Sequence, residues 1–205
     1  MKFKKEYESL NGQVSTTDKA YRSIEISKDN PFVYSDCEKL VEKMNRGESF
    51  VVYFGANWCP WCRSVLPEFI KICQKLGIKE VLYVNVRPDN DPEREIRDVY
   101  SRKEDGTVYL SHSGTEGYHE FCRLSKDILD DYDSNGITLD GTEFAGEKRI
   151  DAPSFIIIIN GKATELTQGI SEKQYDPYMT LNDAITTDMN RIFTEFLGKY
   201  TEAGK

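Results

Sequence analysis

Hydrophobic and polar positions follow short, regular patterns from residue 21 to residue 86, lose that rhythm between 88 and 151, and regain it at Ser154. "YRSIEIS" (21–27) alternates like a short strand, and Asn30–Pro31 ends it. In "SDCEKLVEKMNRG" (35–47) Ser35 and Glu38 have the spacing of a capping box, and Gly47 is a helix stop. Cys37, Leu40, Val41 and Met44 form the apolar stripe of that helix, which makes Cys37 a core residue. "SFVVYFGA" (49–56) is a near-continuous apolar run, as expected of a central strand buried on both faces. Helical spacing then holds from Cys59 to about Lys75, and "KEVLYVNV" (79–86) reads as a second buried strand. Strand, helix and strand in succession predict a parallel crossover.

Beyond residue 88 the pattern is mixed. "DPEREIRDVYSRKEDG" (91–106) and "GYHEFCRLSKDILDDYD" (117–133) each read as helical, and "SNGITLDGTEFAGEKRI" (134–150) is rich in turn residues. "SFIIIIN" (154–160) is a strand, Asn160–Gly161–Lys162 a tight turn, and "ATELTQG" (163–169) the returning strand of a hairpin. Ile185, Met189, Ile192, Phe193 and Phe196 give a closing helix its apolar face. Residues 1–20 are polar and aperiodic and are expected to be a loose arm, leaving one domain over 21–200.

Composition narrows the function classes. The chain has 205 residues, 39% hydrophobic and 30% charged, enough for one sizeable core with an elaboration. No apolar run approaches the ~20 residues needed to span a bilayer. "MKFKKEYESLNG" opens like the basic start of an export signal but lacks the apolar stretch behind it. The expected location is cytoplasmic as written, or extracytoplasmic or lipid-anchored if a leader precedes this sequence in the natural protein. Residues 89–151 hold 17 acidic and 8 basic residues, a net of −9, whereas the remaining 18 acids and 19 bases sum to +1. No basic footprint for nucleic acid is present, and none is expected as a partner. "DYDSNG" (131–136) opens like a calcium loop, but its twelfth position is Thr142 with Glu143 one residue late, and it is read as an acidic turn.

Five cysteines at irregular spacing do not make a disulfide scaffold, and only Cys59 and Cys62 form a close pair. A single C-x-x-C with only two histidines is a poor zinc site, so no metal or cofactor is expected. The pair has another use. In "GANWCPWCRSVLPEF" (55–69) a strand ends and a helix begins at Cys59, with Pro60 suited to the first helical position. A thiolate at the cap faces free N–H groups and the positive end of the helix dipole, which lowers its pKa from ~8.5 into roughly the 3.5–7.5 range. Cys62 lies one turn deeper on the same face. Disulfide exchange needs this combination: Cys59 attacks, and Cys62 resolves by closing the ring. Cys73 lies about 16 Å further along the helix than Cys62 and is read as core packing; Cys122 is a candidate reserve thiol.

These features resemble the thioredoxin-like superfamily over roughly residues 21–199. Trp58 precedes the pair, Pro67 falls eight residues after Cys59, and "DAPSFIIIINGK" (151–162) is similar to the family's cis-proline loop, strand and turn. The "CPWCR" motif, the insertion and the Ile-rich hairpin are more narrowly similar to Gram-positive thioredoxin-like proteins, including bacteriocin-transport accessory proteins. The resemblance implies an α/β fold with a central mixed sheet flanked by helices, the insertion lying between the third core strand and the cis-proline strand. In that arrangement strands 49–56 and 79–86 end, and 154–160 begins, at the sheet edge that carries Cys59, so the acidic insertion is expected there as a wall favouring basic substrates. It implies a catalytic pair, Cys59 and Cys62, and a substrate surface of Trp58, Pro60, Trp61, Ala152 and Pro153, with Pro153 the cis-proline.

The sequence also departs from the family. Tyr53 stands where thioredoxins carry a buried acid, six residues before the first cysteine, and Pro-Trp replaces Gly-Pro between the cysteines. "DAP" is not the glutaredoxin Thr-Val-Pro, and no Gly-Gly-Asp element for glutathione is present. The expected function is a thiol–disulfide oxidoreductase acting on protein or peptide substrates with an unidentified redox partner. The alternative is a non-enzymatic module that holds a peptide in the same groove.

Overall fold

A computed structural model of the chain describes residues 2–132 and 148–203. In chain order the elements are α1 (Lys2–Glu8), β1 (Phe32–Tyr34), α2 (Cys37–Asn45), β2 (Phe50–Gly55), α3 (Pro60–Leu76) and β3 (Val81–Asn85). They continue with β4 (Val99–Arg102), β5 (Val108–His112), α4 (Glu116–Ser125), β6 (Ser154–Ile159), β7 (Lys162–Thr167) and α5 (Asp183–Ala203).

All six residues of β2 are buried, so it takes the centre of a five-stranded sheet of order β1-β3-β2-β6-β7. β3 pairs parallel with both β1 and β2, whereas β6 runs antiparallel to β2 and β7 antiparallel to β6. This is the mixed sheet of a thioredoxin-like fold. The register sets Tyr34, Tyr83, Tyr53 and Phe155 in one row across four strands, hence on one face. Phe155 stacks there on Phe69 of α3 at 4.2 Å between ring centroids and meets Phe193 of α5 at 5.1 Å. On the other face Phe54 meets Phe121 of α4 at 5.2 Å, and α4 packs on α2.

The first residues depart from the expected loose arm. Lys2–Glu8 is a helix whose Phe3 and Tyr7 are fully buried, Phe3 stacking on Phe32 at 4.1 Å. Two aromatics at i and i+4 on one helical face supply enough apolar area to order a short segment that is otherwise polar. The same N-terminal segment explains why residues 21–27 join no strand of the sheet. The Ile24 N–H and carbonyl are met by the Asn11 amide at 3.1 and 2.8 Å, and the Ile26 N–H and carbonyl by Glu8 at 2.8 Å and Lys4 at 2.8 Å. Side chains satisfy the backbone that a neighbouring strand would otherwise satisfy.

Three further expectations are corrected. The cap of α2 is Asp36, whose Oδ1 accepts from the Lys39 N–H at 2.9 Å, while Glu38 turns away to lie against Gly117 of α4. Residues 91–106 are not a helix: Pro88 and Pro92 open two single 3-10 turns, and β4 and β5 form an antiparallel hairpin. The Asp105–Gly106 turn, with Gly106 at φ 89°, joins two β-prone runs, a hairpin signal that outweighs a loose helical spacing. α4 stops at Ser125, short of the expected run to 133. The calcium-like stretch at 131–136 lies mostly outside the described residues, as does most of 134–150.

Candidate active site

Strand β2 ends at Gly55, and the Cys59 N–H donates to the Ala56 carbonyl at 3.2 Å as the chain turns into α3. Cys59 is the extended N-cap residue and Pro60 occupies the first helical position, where it forfeits no helical hydrogen bond. The Cys59 Sγ accepts from the Cys62 N–H at 3.3 Å, and its thiol donates to the Ala152 carbonyl at 3.2 Å. Cys62 lies one turn inside the helix and is wholly buried, whereas Cys59 keeps 5% of its surface exposed. Both are thiols. The geometry makes one sulfur reachable and the other sheltered.

Electrostatics separate them further. Burial raises the Cys59 thiol, but the Cys62 thiol, the Cys62 and Trp61 N–H groups and the Arg97 guanidinium outweigh it, and the pKa falls below the usual thiol value. Cys62 moves the other way. Burial pushes it well up, the neighbouring Cys59 sulfur adds to this, and the Tyr53 hydroxyl and the Ala56 N–H oppose it only in part. Of the two sulfurs, Cys59 is the one that ionises more readily.

Trp58, Cys59, Trp61, Ala152 and Pro153 line one open groove of about 560 Å³. The Ala152–Pro153 peptide bond is cis, and Pro153 is buried at the groove floor. Trp58 is fixed by its indole N–H donating to the Arg87 carbonyl at 3.1 Å, with the Arg87 guanidinium over its ring at 4.9 Å. Pro60 stands apart from the groove lining; its carbonyl accepts from the Ser64 hydroxyl at 3.1 Å inside α3.

Sequence reading did not anticipate the other groove residues, Arg97, Arg149, Asp151, Gln168 and Ile170. Arg97 is nearly buried and forked onto Glu95 at 2.7 and 3.0 Å, and Arg87 donates to the same carboxylate at 2.9 Å. Arg149 pairs with Asp151 at 3.2 Å and donates to the Asp98 carbonyl at 2.6 Å. Both ends of the insertion border the groove, where they contribute two arginines and one acid, Asp151. No spacing rule links Arg97 to Cys59, since the contact arises only when the insertion folds back. Among the described residues, no group of three His, Cys, Asp or Glu side chains is placed to hold a metal ion.

Behind the pair, Tyr53 fills the position that faces Cys62. Its ring lies over Gly55, where a Cβ would fall inside the phenol, so the glycine is what lets the hydroxyl reach the sulfur. That hydroxyl lies 2.9 Å from the Tyr7 hydroxyl.

The thioredoxin family model matches residues 32–116, the segment from β1 to the start of α4 that carries both cysteines. The 5'-adenylylsulfate reductase 3, chloroplastic, of Arabidopsis thaliana is 35% identical over 54 residues, 26% of this chain and 12% of that protein. The chain thus spans only a small part of that relative. A thiol:disulfide interchange protein of the thioredoxin family from Chlorobium tepidum TLS aligns over 74% of this chain and 80% of its own, at 16% identity and a TM-score of 0.30.

Proposed function

We propose that this protein is a thiol–disulfide oxidoreductase that exchanges disulfides with protein or peptide substrates through Cys59 and Cys62. The observation that carries the reading is the split environment of the pair: one sulfur at the cap of α3, accepting from a helix N–H, and a second sealed one turn inside. The thioredoxin family match over the segment that holds both cysteines supports it.

A substrate disulfide enters the groove between Trp58, Trp61 and Pro153. The Cys59 thiolate attacks one of its sulfurs, releasing the other as a thiol and leaving a mixed disulfide. Cys62 then attacks the Cys59 sulfur, the bond to the substrate breaks, and the substrate leaves with the two electrons that the pair has lost. Run backwards, the same steps oxidise a dithiol. A module that only holds a peptide would need neither sulfur.

The test is trapping. Cys62→Ser is expected to accumulate mixed disulfides with an oxidised peptide, and Cys59→Ser to accumulate none. Trapping by Cys59→Ser alone would reverse the roles. Failure of the wild type to reduce insulin, or to oxidise a dithiol peptide, over any redox poise would remove the activity.

A further inference from the structure

In the exchange proposed above, Cys62 must lose its proton before it can close the ring, and among the described residues no carboxylate acts on it. The hydroxyl that acts on it is that of Tyr53, and behind Tyr53 a line of hydroxyls leads out of the core. The Tyr53 and Tyr7 oxygens are 2.9 Å apart. Tyr7 packs against Tyr83 at 6.1 Å between ring centroids and interacts with its hydroxyl, which donates to Glu6 Oε1 at 2.9 Å. Tyr7, Tyr53 and Tyr83 are wholly buried, with no exposed surface on any of the three. Glu6 is only part-buried and is the single carboxylate on this line. Its oxygens also accept from Asn85 at 2.8 Å and from the Tyr34 hydroxyl. It lines a cavity of about 610 Å³ that it shares with Lys2, Asp36, Asp89 and Arg94.

We propose that Tyr53, Tyr7 and Tyr83 form a proton relay that carries the Cys62 proton to Glu6, so that a carboxylate on the N-terminal helix serves as the remote base for ring closure. The inference rests on the exchange reading and adds to it. Each hydroxyl accepts one proton as it passes on its own: from Cys62 to Tyr53, from Tyr53 to Tyr7, from Tyr7 to Tyr83, and from Tyr83 to Glu6. The sulfur is left as the thiolate that attacks Cys59. Glu6, now a carboxylic acid, returns its proton to water in the cavity, and the departing substrate thiolate takes one from solvent.

Electrostatics dictate a concerted transfer. Burial, together with neighbouring thiol and hydroxyl groups, pushes all three tyrosines well above the ordinary phenol value, so none holds a negative charge on its own. A hydroxyl that both gives and receives never has to. Besides Cys59 and Tyr53, the ionisable groups that interact with Cys62 are Tyr7 and Arg63, and Arg63 is a fixed cation that favours the thiolate. The register row supplies two of the hydroxyls, Tyr53 and Tyr83, and α1 supplies Tyr7 and Glu6. Tyr7 and Glu6 lie outside the segment matched by the family model, so the relay is completed by this chain's own N-terminal helix.

The experiment is stopped-flow mixing of the reduced full chain with one equivalent of dithiobis(nitrobenzoate). Attack by Cys59 releases one thionitrobenzoate, and closure by Cys62 releases the second, so one trace reports both steps. Loss of the first phase in the wild type, or a second phase that survives Cys62→Ser, defeats the exchange reading and leaves the relay without a reaction. With both phases assigned, Tyr7→Phe and Glu6→Gln are expected to slow the second phase at pH 7 on the order of 10²-fold, the low end of general-base effects. The deficit is expected to vanish as pH rises and hydroxide takes the proton directly. In mixtures of light and heavy water the wild-type second phase is expected to bow downwards, as several protons move together, and Tyr7→Phe to lose the bow. Tyr7→Phe removes one oxygen from a packed ring, so it carries the test alone if Glu6→Gln also disturbs the first phase. An unchanged second phase, or one slowed equally at every pH, overturns the relay.

Discussion

Two regions lie outside the strand-helix-strand pattern around the cysteines, and they are built in opposite ways. The N-terminal segment is short and polar, yet it is bound into the centre of the molecule. Phe3 and Tyr7 join the main core, and the buried Arg63 of α3 donates to the Tyr7, Arg22 and Asn57 carbonyls and to the Asn11 side chain. The insertion is three times as long and strongly acidic. It meets the core through Tyr118, Phe121, Cys122, Leu129 and Ile150, while Tyr109 and Leu110 on its hairpin remain more than 40% exposed. Length and charge are thus poor guides to what a segment contributes. A few aromatic anchors and a buried cation that needs carbonyls make a polar stretch structural.

The contrast can be broken by substitution. Arg63→Met keeps the volume of the side chain but leaves the Tyr7, Arg22 and Asn57 carbonyls without this donor, while Asn11 Oδ1 keeps the Ile24 N–H. At ~1 kcal/mol or more for each orphaned group, the loss is expected to be about 3 kcal/mol or greater by urea titration. A loss under about 1 kcal/mol would mean that the N-terminal segment is not anchored through this residue.

In the insertion, the comparable feature is Glu95, buried between Arg97 and Arg87. Glu95→Gln leaves two guanidinium groups without their counter-charge, and about 3 kcal/mol is expected to be lost at neutral pH. Burial alone would raise the Glu95 carboxyl, but Arg97 and Arg87 outweigh it and hold the carboxyl below the usual range. A depressed folded-state pKa stabilises the fold fully above the unfolded carboxylate value, ~4.3, and the contribution is lost as pH falls through the folded value. The Tm gap between the wild type and Glu95→Gln is therefore expected to be constant from pH 8 to 6 and to close below about pH 4. A gap that persists in acid would assign the loss to packing. The smallest effect belongs to the exposed residues of β5, where Tyr109→Ser and Leu110→Ser are expected to change stability by no more than about 0.5 kcal/mol.

The same contrast decides what could be read in the sequence. β2, α3, β3 and β6 are visible in it because their apolar spacing, their caps and the N1 proline are local signals. Cys59 and Cys62 are visible for the same reason, since the cap that activates one and the turn that hides the other lie within four residues. Arg97 is not, because its place beside Cys59 depends on the insertion folding back across more than thirty residues. The hairpin of 99–112 did carry a signal, Asp105–Gly106 between two Val-Tyr runs, which the helical spacing of 91–106 obscured. Phe3 and Tyr7 at i and i+4 were likewise present among charges that masked them. Tyr53 marked the absence of an acid near Cys62, but only the row that sets it beside Tyr83, with Tyr7 laid over both, points to Glu6.

The cap of α3 is expected to make Cys59 the reactive thiol and Cys62 the sheltered one, an assignment that alkylation of the reduced protein with iodoacetamide across pH 4 to 10, resolved by peptide mass spectrometry, decides. Cys59 is expected to label first, with a midpoint below the ~8.5 of an ordinary thiol, and Cys62 to stay unlabelled over the same interval. A Cys59 midpoint at or above that value, or labelling of Cys62 before Cys59, would contradict it.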